Sequence, residues 1–478
     1  MKDGNMRARG RARLYNLLVG AIWFGGLALL TQNVYELSGP GAPEDSVPGR
    51  LVRSVAVWTN LLFLGLTLYV FLSRNEKNKT RFLYVFYVLL TVEIPLQILA
   101  GLSLLPFLTV KANIPYGRVY CTKEGFSNGR MNRFGWYAPE FRQRSDAHRI
   151  LIVGDSFVEA MHVERDRNLG ARLQDMLDAA PVQDLQRVFG KPLVDVVALG
   201  RAGYGPAQYI EMIDYGMDAF ASDEVILVSF MGNDFRNTLP SYQRPLTPER
   251  YIYYDWNNQG RFEPVPGSER ARDRLRRVLW SNHRPLVFHV VPMLRSRWLT
   301  FGVVSNTYQF ARLALKRYRH ENNQEAGGDG QLSDSFDAGA GGGVFNVDLD
   351  EDARRSARIY QTLVEHMQER VESSGQRFRI VSIPYHPPAF YDSGGPGYGA
   401  LRHNGYDLRQ PERLVREVSE RRAIPLLELG DTNHMHSLSP DEIKALYLSE
   451  GSGHLSEAGH DYVARAMLRA FYPSLDAQ

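Results

Sequence analysis

The stretch Ile150-Leu151-Ile152-Val153-Gly154-Asp155-Ser156-Phe157 decides how the rest of the chain is read. Four consecutive apolar residues end on a glycine, and a serine follows two positions later. A short apolar run of this kind reads as a strand buried on both faces, in a parallel sheet covered by helices. At its carboxyl end the chain turns toward a helix. That turn exposes the Ser156 hydroxyl and leaves its backbone N–H free to face an anion.

Further runs of the same kind follow at residues 193–198, 225–230, 378–383 and 424–427, separated by amphipathic helical patterns at 169–179, 206–220, 352–372, 411–421 and 456–472. Strands alternating with helices predict a doubly wound, flavodoxin-like α/β/α domain over 149–478, with its site at the carboxyl ends of the strands. Two stretches interrupt it. Residues 236–320 hold Tyr251, Tyr253, Tyr254, Trp256, the arginine run Arg270 to Arg277 and an apolar segment at 285–315, and read as a cap-like insertion. The arginine run itself reads as a solvated helix face. Residues 321–350 carry seven glycines and many acids, a composition expected to be disordered.

Before this domain lie three stretches long enough to cross a bilayer, 14–35, 54–73 and 82–110, which make 1–110 a membrane anchor and 111–148 a connecting segment. The first lacks a small-residue cleavage site and is followed by two more spans, so it reads as a retained helix. Residues 1–13 carry a local charge of +4 and residues 74–81 a charge of +3. Positive loops stay in the cytoplasm, so the N-terminus is expected inside an inner, multi-pass membrane location, with everything after Lys111 periplasmic or otherwise extracytoplasmic. Glu93 is the one ionisable residue within a span and reads as a packing contact between spans, the alternative being part of a substrate or proton path.

The chain has 478 residues, with 56 Lys+Arg against 53 Asp+Glu, a net charge of +3. The two basic segments exceed that total, so the remainder is slightly acidic, which argues against a nucleic-acid partner. Cys121 is the only cysteine, which excludes an intramolecular disulfide and a Cys-based zinc site. His434 and His436 lack the spacing of a metal site, and no metal or cofactor is expected.

Three more motifs sit where strands end. Val197-Ala198-Leu199-Gly200-Arg201-Ala202-Gly203-Tyr204-Gly205 allows a close backbone approach to a ligand, Phe230-Met231-Gly232-Asn233-Asp234 places an amide donor at a strand end, and Gly453-His454-Leu455-Ser456 precedes the last helix. Ser, Gly, Asn and His in this order, each in a strand-end loop, resemble the SGNH (GDSL-type) hydrolase family over roughly 149–234 and 446–472. The lead-in Met131-Asn132-Arg133-Phe134-Gly135-Trp136 is similar to membrane-anchored relatives whose hydrolase domain lies outside the cytoplasm.

The resemblance implies a nucleophile at Ser156, an oxyanion hole from the Ser156 N–H, the Gly203 N–H and the Asn233 side chain, and a general base at His454. Asp155 would tune the turn through hydrogen bonds. The chain departs from the family where an Asp usually precedes the histidine, since Gly451 and Ser452 stand there, and Ala198 replaces the second-block asparagine. Glu450 is the nearest carboxylate, with Asp431 and Asp461 more distant. A backbone carbonyl, or a Ser–His dyad, are the other ways to orient or dispense with orienting the base.

The chemistry expected is that of a serine hydrolase acting on ester bonds, an esterase or O-acyltransferase. Its partner would be an acylated glycan, most plausibly an O-acetylated polysaccharide handled by envelope machinery. The alternatives are a lipase or phospholipase at the membrane surface, and a silent glycan-binding or assembly protein. His386 reads as a loop histidine and His460 as a packing residue.

Overall fold

The computed structural model describes residues 84, 91–93, 95–100, 102, 104, 109–122, 124–142, 146–242, 251–284, 286–289, 299, 343–385, 405, 407–449 and 452–476. The chain divides into two compact units, Met1–Pro106 with Arg284–Ser305, and Phe107–His283 with Asn306–Gln478. In the first unit, the buried Glu93 carboxylate accepts from the Leu299 N–H at 2.9 Å and from the Gln97 amide. The expected spans 14–35 and 54–73 lie outside the described residues. Among the described residues no helix is long and apolar enough to cross a membrane.

The second unit begins with three short strands, β1 (Thr109–Lys111), β2 (Arg118–Cys121) and β3 (Ser127–Arg130), paired antiparallel in that order. This corrects two expectations. The third apolar stretch does not stay helical to 110, because Thr109 and Val110 pair with Cys121 and Tyr120. Residues 111–148 are not a connector either. Phe134, Trp136, Ala138 and Phe141 are buried in the main core, and Val119, Met131, Tyr137 and Met161 form a smaller one.

The main element order continues with β4 (Ala147–Gly154), α1 (Ser156–Glu159), α2 (Leu169–Ala179), β5 (Leu193–Gly200), α3 (Pro206–Phe220) and β6 (Glu224–Phe230). After the insertion, with its helix α4 (Ser268–Ser281), come α5 (Glu351–Ser373), β7 (Arg377–Ile383), α6 (Gln410–Arg422) and β8 (Leu426–Glu428). A hairpin, β9 (Tyr447–Ser449) and β10 (Ser452–Leu455), then leads into α7 (Glu457–Phe471). Strands β8-β7-β6-β4-β5 form one sheet in that order, and every pair in it is parallel. Numbered along the sheet, this is the 2-1-3-4-5 arrangement of doubly wound folds.

Ile150, Leu151, Ile152 and Val153 are all fully buried, as a strand covered on both faces requires. One helical layer is α3 flanked by α4 and α5, with α6 beyond, and the other holds α2 and α7. The described part of the insertion is scaffold. Ala271, Leu275 and Leu279 of α4 are buried, and Arg272 and Arg276 pair with the Glu211 carboxylate of α3. At the end of the glycine-rich segment, residues 343–350 are ordered. Val344 and Phe345 enter the core, and the Asp350 side chain caps α5 by accepting from the Ala353 N–H at 2.7 Å. An apolar pair and a helix cap override the local composition there.

Candidate active site

Strand β4 lies between β5 and β6, so the loops after those neighbours flank the turn that carries Ser156. Asp155 caps α1, its carboxylate accepting from the Phe157 N–H at 2.9 Å. As the first residue of that helix, Ser156 has no intrahelical acceptor for its own N–H. The other Asp155 oxygen accepts from Asn233 Nδ2 at 2.8 Å, which ties the β6 loop to the β4 loop. The amide retains a second N–H. Burial raises the Asp155 carboxyl above its ordinary range, the hydrogen bonds from Phe157 and Asn233 working against it. The neighbouring Asp234 is raised too, by burial and by the charge of Asp155.

The loop after β5 is a tight turn in which Tyr204 N donates to the Arg201 carbonyl at 3.1 Å. Gly203 occupies the third position with φ +79°, a backbone conformation that costs glycine little and other residues more. The turn is anchored from below. The Ala202 N–H donates to Glu159 Oε2 at 2.8 Å, and Glu159 is itself buried and held by Lys111 Nζ at 2.7 Å. Arg201 lies over the Trp136 ring at 4.6 Å, which seats the lead-in motif beneath the same turn.

His454 stands on β10, and its Nε2 lies 2.9 Å from Ser156 Oγ. Its partner on the other side is Glu124, in the loop between β2 and β3. Glu124 Oε2 lies 2.6 Å from His454 Nδ1, and Glu124 Oε1 accepts from the His454 backbone N–H at 2.7 Å. One carboxylate thus fixes both ring and backbone. Gly125 lets the loop come this close, since a Cβ there would meet the His162 carbonyl oxygen at 2.2 Å. Burial alone would raise the Glu124 carboxyl, but the hydrogen bond and charge of His454 outweigh it and bring it to about 2.

His454 is therefore held by a residue that the sequence did not single out. Glu450 lies outside the described residues. Asp431 accepts from the Asn433 N–H within its own turn, and Asp461 pairs with Arg465 one helical turn on. Glu124 and His454 are 330 positions apart, so no spacing relates them. His386 also lies outside the described residues. His436 packs against the Arg409 guanidinium, and burial brings the His460 imidazole down to about 3.

Ser156, His454 and Glu124 form a continuous chain of contacts able to pass a proton from the hydroxyl to the imidazole and to hold the resulting cation. Gly203 and Asn233 occupy the flanking loops, where a developing oxyanion would need donors.

No protein-family model matches the chain, and no curated protein matches it. Among solved structures, LAE5, an alpha/beta hydrolase enzyme from the metagenome of Lake Arreo, Spain, is similar over 70% of this chain and 99% of its own, at 12% identity and a TM-score of 0.33. A catalytic mutant of Axe2, an acetylxylan esterase from Geobacillus stearothermophilus, is similar over 69% of this chain and 97% of its own, at 11% identity and a TM-score of 0.31. Both neighbours are enzymes, one a hydrolase and the other an esterase, and the chemistry of this chain is read from its own site.

Proposed function

We propose that this chain is a membrane-anchored serine esterase of the SGNH type, hydrolysing or transferring O-acyl groups, acetyl above all, on a polysaccharide outside the cytoplasm. The observation that carries this reading is the run from Ser156 Oγ to His454 Nε2 at 2.9 Å and from His454 Nδ1 to Glu124 at 2.6 Å. His454 accepts the serine proton as Oγ attacks the ester carbonyl. Glu124 stays ionised and holds Nδ1–H, so that Nε2 is the basic nitrogen. The N–H groups of Ser156 and Gly203 and the remaining amide hydrogen of Asn233 stabilise the tetrahedral oxyanion. His454 then gives its proton to the leaving sugar oxygen, and an acyl-serine remains. Water or another hydroxyl, activated by the same base, releases the acyl group.

The absence of an Asp before His454 favoured a silent glycan-binding protein, and Glu124 in contact with the base weighs against that alternative. Apolar stretches flanked by basic segments support the anchor and the extracytoplasmic placement. The test is hydrolysis of p-nitrophenyl acetate and p-nitrophenyl palmitate by the detergent-solubilised protein beside Ser156→Ala. Acetate turnover that falls by about 10⁴ or more in the variant is expected. Faster palmitate turnover would move the assignment to a lipase, and Ser156-independent turnover would overturn it.

A further inference from the structure

Glu124, His162 and His454 form a cluster that the ester chemistry uses only in part. Each offers one ligand atom, and these atoms lie within 4.8 Å of one another. Glu124 Oε2 is 2.6 Å from His454 Nδ1 and 3.9 Å from His162 Nδ1. The two imidazoles stack, with ring centres 3.9 Å apart and 29° between their planes. Cys121 Sγ lies 3.8 Å from His162 Nδ1. The side chains keep 12% (His162), 20% (Glu124) and 26% (His454) of their surface exposed, so an ion can reach them.

The geometry points to an inhibitory zinc site formed by His162, His454 and Glu124. Two imidazoles and a carboxylate are a donor set that zinc accepts, with a fourth position left to water. Magnesium and calcium prefer all-oxygen sets and gain little here. Zinc bonds of about 2.0–2.2 Å in a tetrahedron set neighbouring ligand atoms roughly 3.4 Å apart. The 2.6 Å contact therefore opens and the 3.9 Å contact closes, each by less than about 1 Å, while the His162 ring turns out of the stack to aim its lone pair at the ion.

Neutral His454 carries one ring proton. With zinc on Nδ1 that proton resides on Nε2, facing Ser156 Oγ. The ring then donates where it has to accept, and the serine keeps its proton. The effect on activity rests on the esterase reading above, whereas binding of the ion does not.

The test is calorimetric titration of metal-free, full-length solubilised protein with zinc chloride, alongside p-nitrophenyl acetate hydrolysis. One zinc per chain is expected. Hydrolysis should fall at least tenfold at saturation and return with EDTA, and magnesium should do neither. His162→Gln should raise the zinc needed for binding and for inhibition at least tenfold. His162→Phe, which keeps a stacked ring without a ligand, serves if the glutamine variant fails to fold. Cobalt(II) in place of zinc should give the visible absorption of a four-coordinate ion in the wild type and not in the variants. Unchanged binding in both His162 variants, or binding lost with His434→Gln and His436→Gln instead, overturns the site. If the wild type hydrolyses no ester, calorimetry and cobalt spectra still decide the zinc site, and the esterase reading fails separately.

Discussion

The parallel sheet and the three-stranded sheet that precedes it hold the same few atoms by different means. Strands β4, β5 and β6 are buried along most of their lengths, and they position Ser156, Gly203 and Asn233 through the backbone turns at their ends. Strands β1, β2 and β3 have three or four residues each, and their sheet contributes by two side chains, Lys111 on β1 and Glu124 in the loop between β2 and β3. They are tied to the segment just beyond the nucleophile. Ser127 Oγ donates to the Met161 carbonyl at 2.6 Å, and Tyr137 OH to the Val163 carbonyl at 3.1 Å. Ser156, Gly203 and Asn233 thus follow directly from strands of the buried core. Glu124 and Lys111, which meet His454 and brace the Gly203 turn, come from the smaller element.

The sharpest way to break this division is to compare the two candidate acids. Glu124→Gln should lower kcat by roughly 10²–10⁴, about 3–5 kcal/mol, with KM little changed, and Glu124→Asp should recover part of it. Glu450→Gln should stay within about twofold of wild type, since Glu124 already meets both the Nδ1 and the backbone N–H of His454. The reverse order in steady-state kinetics would return the orienting acid to the hairpin of the larger domain.

A smaller effect is expected on the other side of the site. Glu159→Gln leaves an acceptor for the Ala202 N–H but loses the ion pair with Lys111, and Lys111→Met loses it from the other end. Each should cost about tenfold in kcat, roughly 1.4 kcal/mol, by loosening the turn that presents Gly203. A change confined to KM would mean that the turn contacts substrate and not the oxyanion.

The smallest effect is in stability against pH. The Glu124 carboxyl is held at about 2 against an ordinary value of 4.5. A group depressed on folding stabilises the protein fully above its unfolded pKa and loses that contribution as pH falls toward its folded one. The melting temperature of wild type should therefore exceed that of Glu124→Gln by a few degrees at pH 7, and the gap should shrink between pH 4.5 and about 2. A gap unchanged at pH 3 would mean that His454 does not hold the carboxylate ionised.

How much of this was legible depends on what each residue needs from its neighbours. Runs such as 150–153 and 225–228 are strands because every side chain in them is apolar, and that is visible locally. Ser156, Gly203 and Asn233 each follow such a run, so their place at the sheet's edge could be read with it. The strand at Ser127–Arg130 has no such pattern, since Ser-Asn-Gly-Arg is polar throughout and is extended only because β2 pairs with it. Residues 111–148 looked like a connector for that reason.

The linear chain determined the alternation of helices and strands in the parallel sheet and the doubly wound class, because these follow from periodicity and from the turns that end each strand, and the motifs around Ser156 and His454 carried the resemblance that singled those two residues out. Which carboxylate meets His454, what braces Gly203 and why His162 lies on the base were decided by tertiary structure alone. Glu124 meets His454 across 330 positions and Lys111 meets Glu159 across 48. A hydrogen bond depends on a few tenths of an ångström between side chains, and only packing two sheets together sets such a distance.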